Sequence, residues 1–246
     1  MSRCLIASPL TFVFILGLGL LSLPGCRLNL VGPTSTPTPR PTGSPTVSTD
    51  TVYYWDFNET ESPYAEKAGK LPAATGSFTT SAEGVYGNAV NFQAGQTATV
   101  NMGTFELPEN NGTISMWIKP DSIPSGSHYH LFAKASSGGG PSGWVLYLTI
   151  LDTGVLRVGA GLAGDTYADS QAGAIQFSHW QHVAVAWSPQ GITFYVNGQS
   201  VPISASRGTT VRCVQGTGMR VALGTWGSDV YPDHVYRGPV DELKIF

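Results

Sequence analysis

From Val52 to Phe246 the chain is a succession of short apolar or alternating segments, each cut by Gly, Asn or Pro before it reaches helical length. Apolar residues do not recur there at i, i+3, i+4 and i+7, so strands rather than amphipathic helices are expected. Val52–Phe57 (VYYWDF) opens the series. In Thr113–Lys119 the residues Ile114, Met116 and Ile118 share one face, because successive side chains alternate along a strand. Trp144–Leu151 (WVLYLTIL) is apolar enough for a central strand, and Asp152-Thr153-Gly154 turns it into Val155–Val158. His182–Trp187 and Ile192–Val196 follow. Asn197-Gly198 then marks a tight hairpin, since both residues accept the positive φ that a two-residue turn requires. Val240–Phe246 ends the series. About a dozen strands, spaced by roughly ten residues, predict an all-β fold: an antiparallel sandwich of two sheets. With no internal repeat, residues 52–246 form one domain.

The chain before Val52 is of another kind. Residues 1–25 read as an export signal: Arg3 is their only charged side chain, and Thr11–Leu21 (TFVFILGLGLL) is an apolar core too short for a stable membrane span. Leu23-Pro24-Gly25-Cys26 closes it and resembles the lipobox of bacterial lipoproteins, which implies a lipidated Cys26. Several acyl chains there would hold the protein to a membrane far better than one. Arg27, rather than Asp, follows the cysteine, which by resemblance to Gram-negative sorting implies the outer membrane or cell surface. Residues 26–51 form a linker: sixteen of the eighteen positions in 32–49 are Pro, Thr, Ser or Gly. Such a segment has nothing to bury, and its extended proline conformations reach on the order of 50 Å, enough to lift a domain clear of lipid headgroups.

Charge and cysteine content narrow the function. Only 12% of residues are charged, the net charge is -3, and Lys and Arg form no cluster, which excludes a nucleic-acid partner. Of Cys4, Cys26 and Cys213 only the last lies in the domain, so no disulfide forms within it, and Cys213 is expected as a small buried thiol.

Five motifs in order resemble one known family. They are Gly87-Asn88-Ala89-Val90-Asn91-Phe92, Ser115-Met116-Trp117-Ile118-Lys119-Pro120, His179-Trp180-Gln181-His182-Val183-Ala184, Phe194-Tyr195-Val196-Asn197-Gly198, and Gly238 to Phe246 (GPVDELKIF). Together they are similar to the LamG-like jelly-roll domains of the concanavalin A-like lectins and glucanases, which implies a jelly-roll sandwich. Many members carry an Asp-x-Ser-Gly-Asn loop after the first strand; this chain has Ser62-Pro63-Tyr64-Ala65-Glu66-Lys67-Ala68-Gly69 in that region.

Sugar hydrolysis on such a fold needs two carboxylates facing one another across a cleft. The Glu-x-Asp-x-x-Glu run that would supply them is missing, and Asp241 and Glu242, being adjacent on a strand, are expected on opposite faces. A non-catalytic module is therefore expected. Calcium takes carboxylate and carbonyl oxygens, and the resemblance implies a structural ion near the first and last strands, where Asp56 and Asp241 stand; alternatively Asp241 only binds backbone amides. Glycans stack their CH faces on aromatic rings while nearby polar groups take the hydroxyls. Trp55, Trp117, Trp180 and Trp187 are expected in strands and core. Trp226 and Tyr231, with Asp229, Asp233 and His234 close in sequence, form one candidate binding loop. His128 and Tyr129, followed by His130, form another, and Trp144 after a Gly-rich stretch is a third candidate. The expected partner is a glycan or another envelope ligand; the alternative is a structural or adhesive surface protein that binds a protein partner.

Overall fold

The computed structural model describes residues 51–135, 143–160, 166–208, 211–225 and 234–246. The chain divides into two compact units, 1–39 and 40–246, and every described residue belongs to the second. The expected export signal, Cys26 and residues 26–50 of the expected linker lie outside the described residues, as do Trp226, Asp229, Tyr231 and Asp233.

Among the described residues sixteen strands follow one another. They are β1 (Tyr53–Trp55), β2 (Thr75–Ser77), β3 (Thr79–Glu83), β4 (Asn88–Phe92), β5 (Thr99–Gly103), β6 (Gly112–Ile118), β7 (His128–Ala135) and β8 (Trp144–Leu151). The series continues with β9 (Leu156–Ala160), β10 (Thr166–Ser170), β11 (Gln181–Ser188), β12 (Gly191–Val196), β13 (Gln199–Val201), β14 (Ile203–Arg207), β15 (Arg220–Leu223) and β16 (Gly238–Ile245). The sequence suggested fewer because β2, β3 and β14 carry few apolar side chains; backbone pairing, not burial, makes them strands.

Two antiparallel eight-stranded sheets result. The first runs β13-β12-β11-β6-β16-β4-β3, with β1 also paired to β16; the second runs β14-β10-β9-β8-β7-β15-β5-β2. This is the jelly-roll sandwich that the motifs imply. Alternation decides which side chains meet between the sheets. Ile114, Met116 and Ile118 from β6 are buried, as are Leu146, Leu148 and Ile150 from β8, Val158 from β9 and Phe194 from β12. Each such side chain contributes about 1.5–3 kcal/mol. Asn197 and Gly198 form the expected hairpin, with φ of 50° and 76°. Cys213 is a free, buried thiol, and burial pushes its pKa up to about 12.

Three expectations need correction. His128, Tyr129 and His130 are not in a loop; they begin β7. Trp55 and Trp187 are core residues, but Trp117 faces outward, half-buried and edge-on to His182 at 5.5 Å. Trp180 is also half-buried and precedes β11, in a recess of about 210 Å³ with Gln176, His179, Gln181 and Asn197.

The segment standing in place of the Asp-x-Ser-Gly-Asn loop is tied down by Glu66. Its carboxylate accepts hydrogen bonds from the amides of Tyr54, Ala68, Lys70 and Leu71, at 2.8, 2.9, 2.7 and 3.3 Å.

Candidate functional site

The face of the second sheet turned away from the core is built by the alternate residues of β7 to β10. Leu146, Leu148, Ile150, Leu156, Val158 and Ala168 fill the core, so Tyr147, Thr149, Arg157, Gly159, Tyr167 and Asp169 point the other way. Register then aligns two rows across the strands. One row runs His130, Thr149, Arg157, Asp169; the other runs Ala133, Tyr147, Gly159, Tyr167.

The first row is polar and cross-linked. Thr149 Oγ1 lies 3.1 Å from His130 Nδ1. Arg157 donates to Asp169 through Nε at 2.7 Å and Nη2 at 2.8 Å, a bidentate pair. Those hydrogen bonds raise the Arg157 pKa above its ordinary value. The second row is aromatic. Tyr147 lies over Gly159, where a side chain would collide with its ring. Trp144 meets Tyr147 edge-on at 5.4 Å, and Arg157 stands 5.1 Å above the Tyr167 ring centroid. His128, His130, Tyr147, Thr149, Leu151 and Arg157 line a recess of about 150 Å³ on this face. Burial, then the charges of His234 and Arg157, lower the His128 pKa; burial, then His128 and His234, lower that of His130 to about 3.

Of the candidates read from sequence, His128 and Trp144 stand on this face. Tyr129 points the opposite way, is 1% exposed and donates its hydroxyl to the Ser122 carbonyl at 3.1 Å, so it is a core residue. Its burial follows from alternation, since its two histidine neighbours face outward. Sequence reasoning missed Tyr147, Arg157, Tyr167 and Asp169. Period-2 alternation inside WVLYLTIL was the available signal, since Tyr147 and Thr149 fall between core positions. The Arg157–Asp169 pair had no signal before strand register was known.

Asp56 and Asp241 lie at neighbouring strands: β1 pairs with β16, Trp55 opposite Leu243. The Asp56 carboxylate is 3.1 Å from the Lys67 ammonium. Asp241 is fully buried. Its Oδ2 accepts from the Val85 and Tyr86 amides at 2.8 and 3.0 Å, while its Oδ1 is buried without a hydrogen-bond partner. Burial pushes its pKa up to about 7, against the lowering effect of the amide donors. An orphaned carboxylate oxygen fits a hard cation as one ligand of the six to eight that calcium takes. Glu242, at φ 54°, sits where the β16–β6 register shifts, and this bulge interrupts alternation beside Asp241. Its side chain is buried too, accepting from the Tyr54 hydroxyl at 2.8 and 2.9 Å and from Lys244 Nζ at 3.0 Å.

Solved structures share this fold. Domain 4 of AbnA, a GH43 extracellular arabinanase from Geobacillus stearothermophilus in complex with arabinotriose, superposes with a TM-score of 0.58 at 17% identity, over 79% of this chain and 91% of that one. Trypanosoma rangeli sialidase in complex with sialic acid gives 0.57 at 15%, over 83% of this chain and 32% of the sialidase, so the likeness spans about a third of that protein. Among curated proteins no sequence matches. The family described as the concanavalin A-like lectin/glucanases superfamily matches residues 93–246. With that match covering well over half the chain and both sheets in place, the chain belongs to the concanavalin A-like lectin/glucanases superfamily.

Proposed function

We propose that this protein is a non-catalytic glycan-binding module, held at the bacterial envelope by lipid on Cys26. The observation that carries the reading is the pair of rows on the β7–β10 face: an aromatic ring, Tyr147, lying beside a bidentate Arg157–Asp169 pair. A sugar presents an apolar CH face and a rim of hydroxyls, and these rows offer a partner for each. Tyr147 stacks on the ring, while the half-buried Arg157, held in place by Asp169, donates to hydroxyls. The recess suits about one sugar residue, with Trp144 placed to meet the next. The arabinanase domain of the same fold is in complex with arabinotriose, which makes arabino-oligosaccharides the first ligands to try.

A binding role also suits the acidic side chains. Asp169 is committed to Arg157, and Asp241 and Glu242 are buried, whereas glycoside hydrolysis needs two carboxylates spaced across an open cleft. Among the described residues no helix is long and apolar enough to cross a membrane; the lipobox carries the anchoring proposal. Calcium is proposed as a structural ion at Asp241, on the strength of its orphaned Oδ1 and the nearness of β1.

The test is calorimetry of the purified chain against a panel of oligosaccharides, with Tyr147→Ala as control. Binding at millimolar affinity or better that is lost in a folded Tyr147→Ala chain supports the reading. No binding, or binding unchanged in that variant, overturns it, and the absence of any glycan ligand favours a protein partner.

A further inference from the structure

His128 and His130 stand two residues apart on β7, and a parallel bridge between His130 and Val235 lays His234 against them. One imidazole nitrogen from each lies within 4.8 Å of the other two, the single such cluster of metal-ligating side chains among the described residues. The rings meet from different directions: His128 and His234 are stacked at 4.0 Å, while His130 is edge-on to them at 4.8 and 5.7 Å. We infer that His128, His130 and His234 form a binding site for one divalent transition-metal ion of the zinc type.

Ligand chemistry selects the ion. Imidazole suits zinc, copper and nickel, whereas calcium and magnesium prefer oxygen, so this site is chemically distinct from the Asp241 region. At zinc–nitrogen distances of about 2.0–2.1 Å, tetrahedral ligand nitrogens stand about 3.4 Å apart. The three nitrogens lie within 4.8 Å of one another, and the stacked His128 and His234 rings turn on binding so that their in-plane lone pairs converge on one ion. Metals bind imidazole in its neutral form. Thr149 contacts His130 Nδ1 at 3.1 Å, the kind of second contact that orients a ligating ring and directs its Nε2 to the metal. Arg157 shares the recess, but its charge is balanced by Asp169. Three protein ligands leave a fourth position, toward the recess, for water or another small donor.

The experiment uses the full chain purified without a polyhistidine tag and stripped with chelator. Zn²⁺ is titrated in competition with a chromophoric chelator, and Co²⁺ is added separately as a spectroscopic probe. One Zn²⁺ per chain with micromolar or tighter affinity is expected, together with visible Co²⁺ bands of a four-coordinate site and no sulfur charge-transfer band. His234→Ala, outside the strands and half-buried, should weaken Zn²⁺ binding at least tenfold with an unchanged melting temperature of the metal-free chain. Thr149→Val should weaken it by about tenfold, as loss of an orienting contact does. Three results each overturn the inference: no stoichiometric Zn²⁺, equal affinity in folded His234→Ala, or a thiolate band that assigns the metal to Cys4 or Cys26.

Discussion

The ring of Tyr147 on β8 lies across Gly159 on β9, in the space that a side chain at Gly159 would occupy. The absence of a Cβ at Gly159 therefore fixes where the aromatic platform sits. Gly159→Ala should push the Tyr147 ring aside and weaken oligosaccharide binding by about 1–2 kcal/mol, roughly tenfold, although residue 159 supplies no polar group. Calorimetry checks this; unchanged affinity would remove Tyr147 from the site.

Glu66 is a structural clamp. One buried carboxylate takes four amide hydrogen bonds and joins β1 to the loop that follows it. Hydrogen bonds to a charged acceptor are worth about 1.5–3 kcal/mol each, and removing the acceptor leaves several donors unmatched. Glu66→Ala should cost about 3 kcal/mol or more and lower Tm by about 10 °C. Glu66→Gln, which keeps the size and one acceptor oxygen, should cost less. Equal melting of the two variants would contradict the charge-assisted account.

The Cys213 thiol should be inert in the native chain. Burial raises its pKa to about 12, and only the thiolate is an effective nucleophile. Iodoacetamide at neutral pH should leave the peptide containing Cys213 unmodified until denaturant is added, as mass spectrometry of digests would read. Rapid native labelling would mean that the segment opens easily.

Calcium should raise the melting temperature. An ion that binds only the native state stabilises it by mass action, by about 2.7 kcal/mol at a hundredfold excess over Kd. Chelator should lower the wild-type Tm, while Asp241→Ala should melt low with or without it. Identical wild-type melting in calcium and in chelator would remove the ion and leave Asp241 as a partner of the Val85 and Tyr86 amides alone.

Cys26→Ser should abolish acyl labelling and release the protein from the membrane fraction or leave it as an unprocessed precursor. The Leu23–Cys26 lipobox motivates this expectation. Acyl labelling that persists in the variant would place the lipid elsewhere.

Local chemistry determined much of this protein. Alternation put Ile114, Met116 and Ile118 in the core, Asn197-Gly198 set a hairpin because its backbone needs positive φ, and a single domain cysteine ruled out an internal disulfide. Those features depend on neighbours in sequence, so the sequence displays them. The candidate site does not work that way. Arg157 and Asp169 are twelve residues apart, and His234 is more than a hundred from His128; only strand register and the bridge to β7 bring them together. Trp117 and Trp180 looked like core residues because strands usually bury tryptophan, but which face a ring occupies depends on the sheet packed against it. The sequence by itself determined the two-sheet sandwich. Tertiary structure decided which side chains meet on each outward face, because pairing between strands, a long-range choice, sets the neighbours of every side chain there.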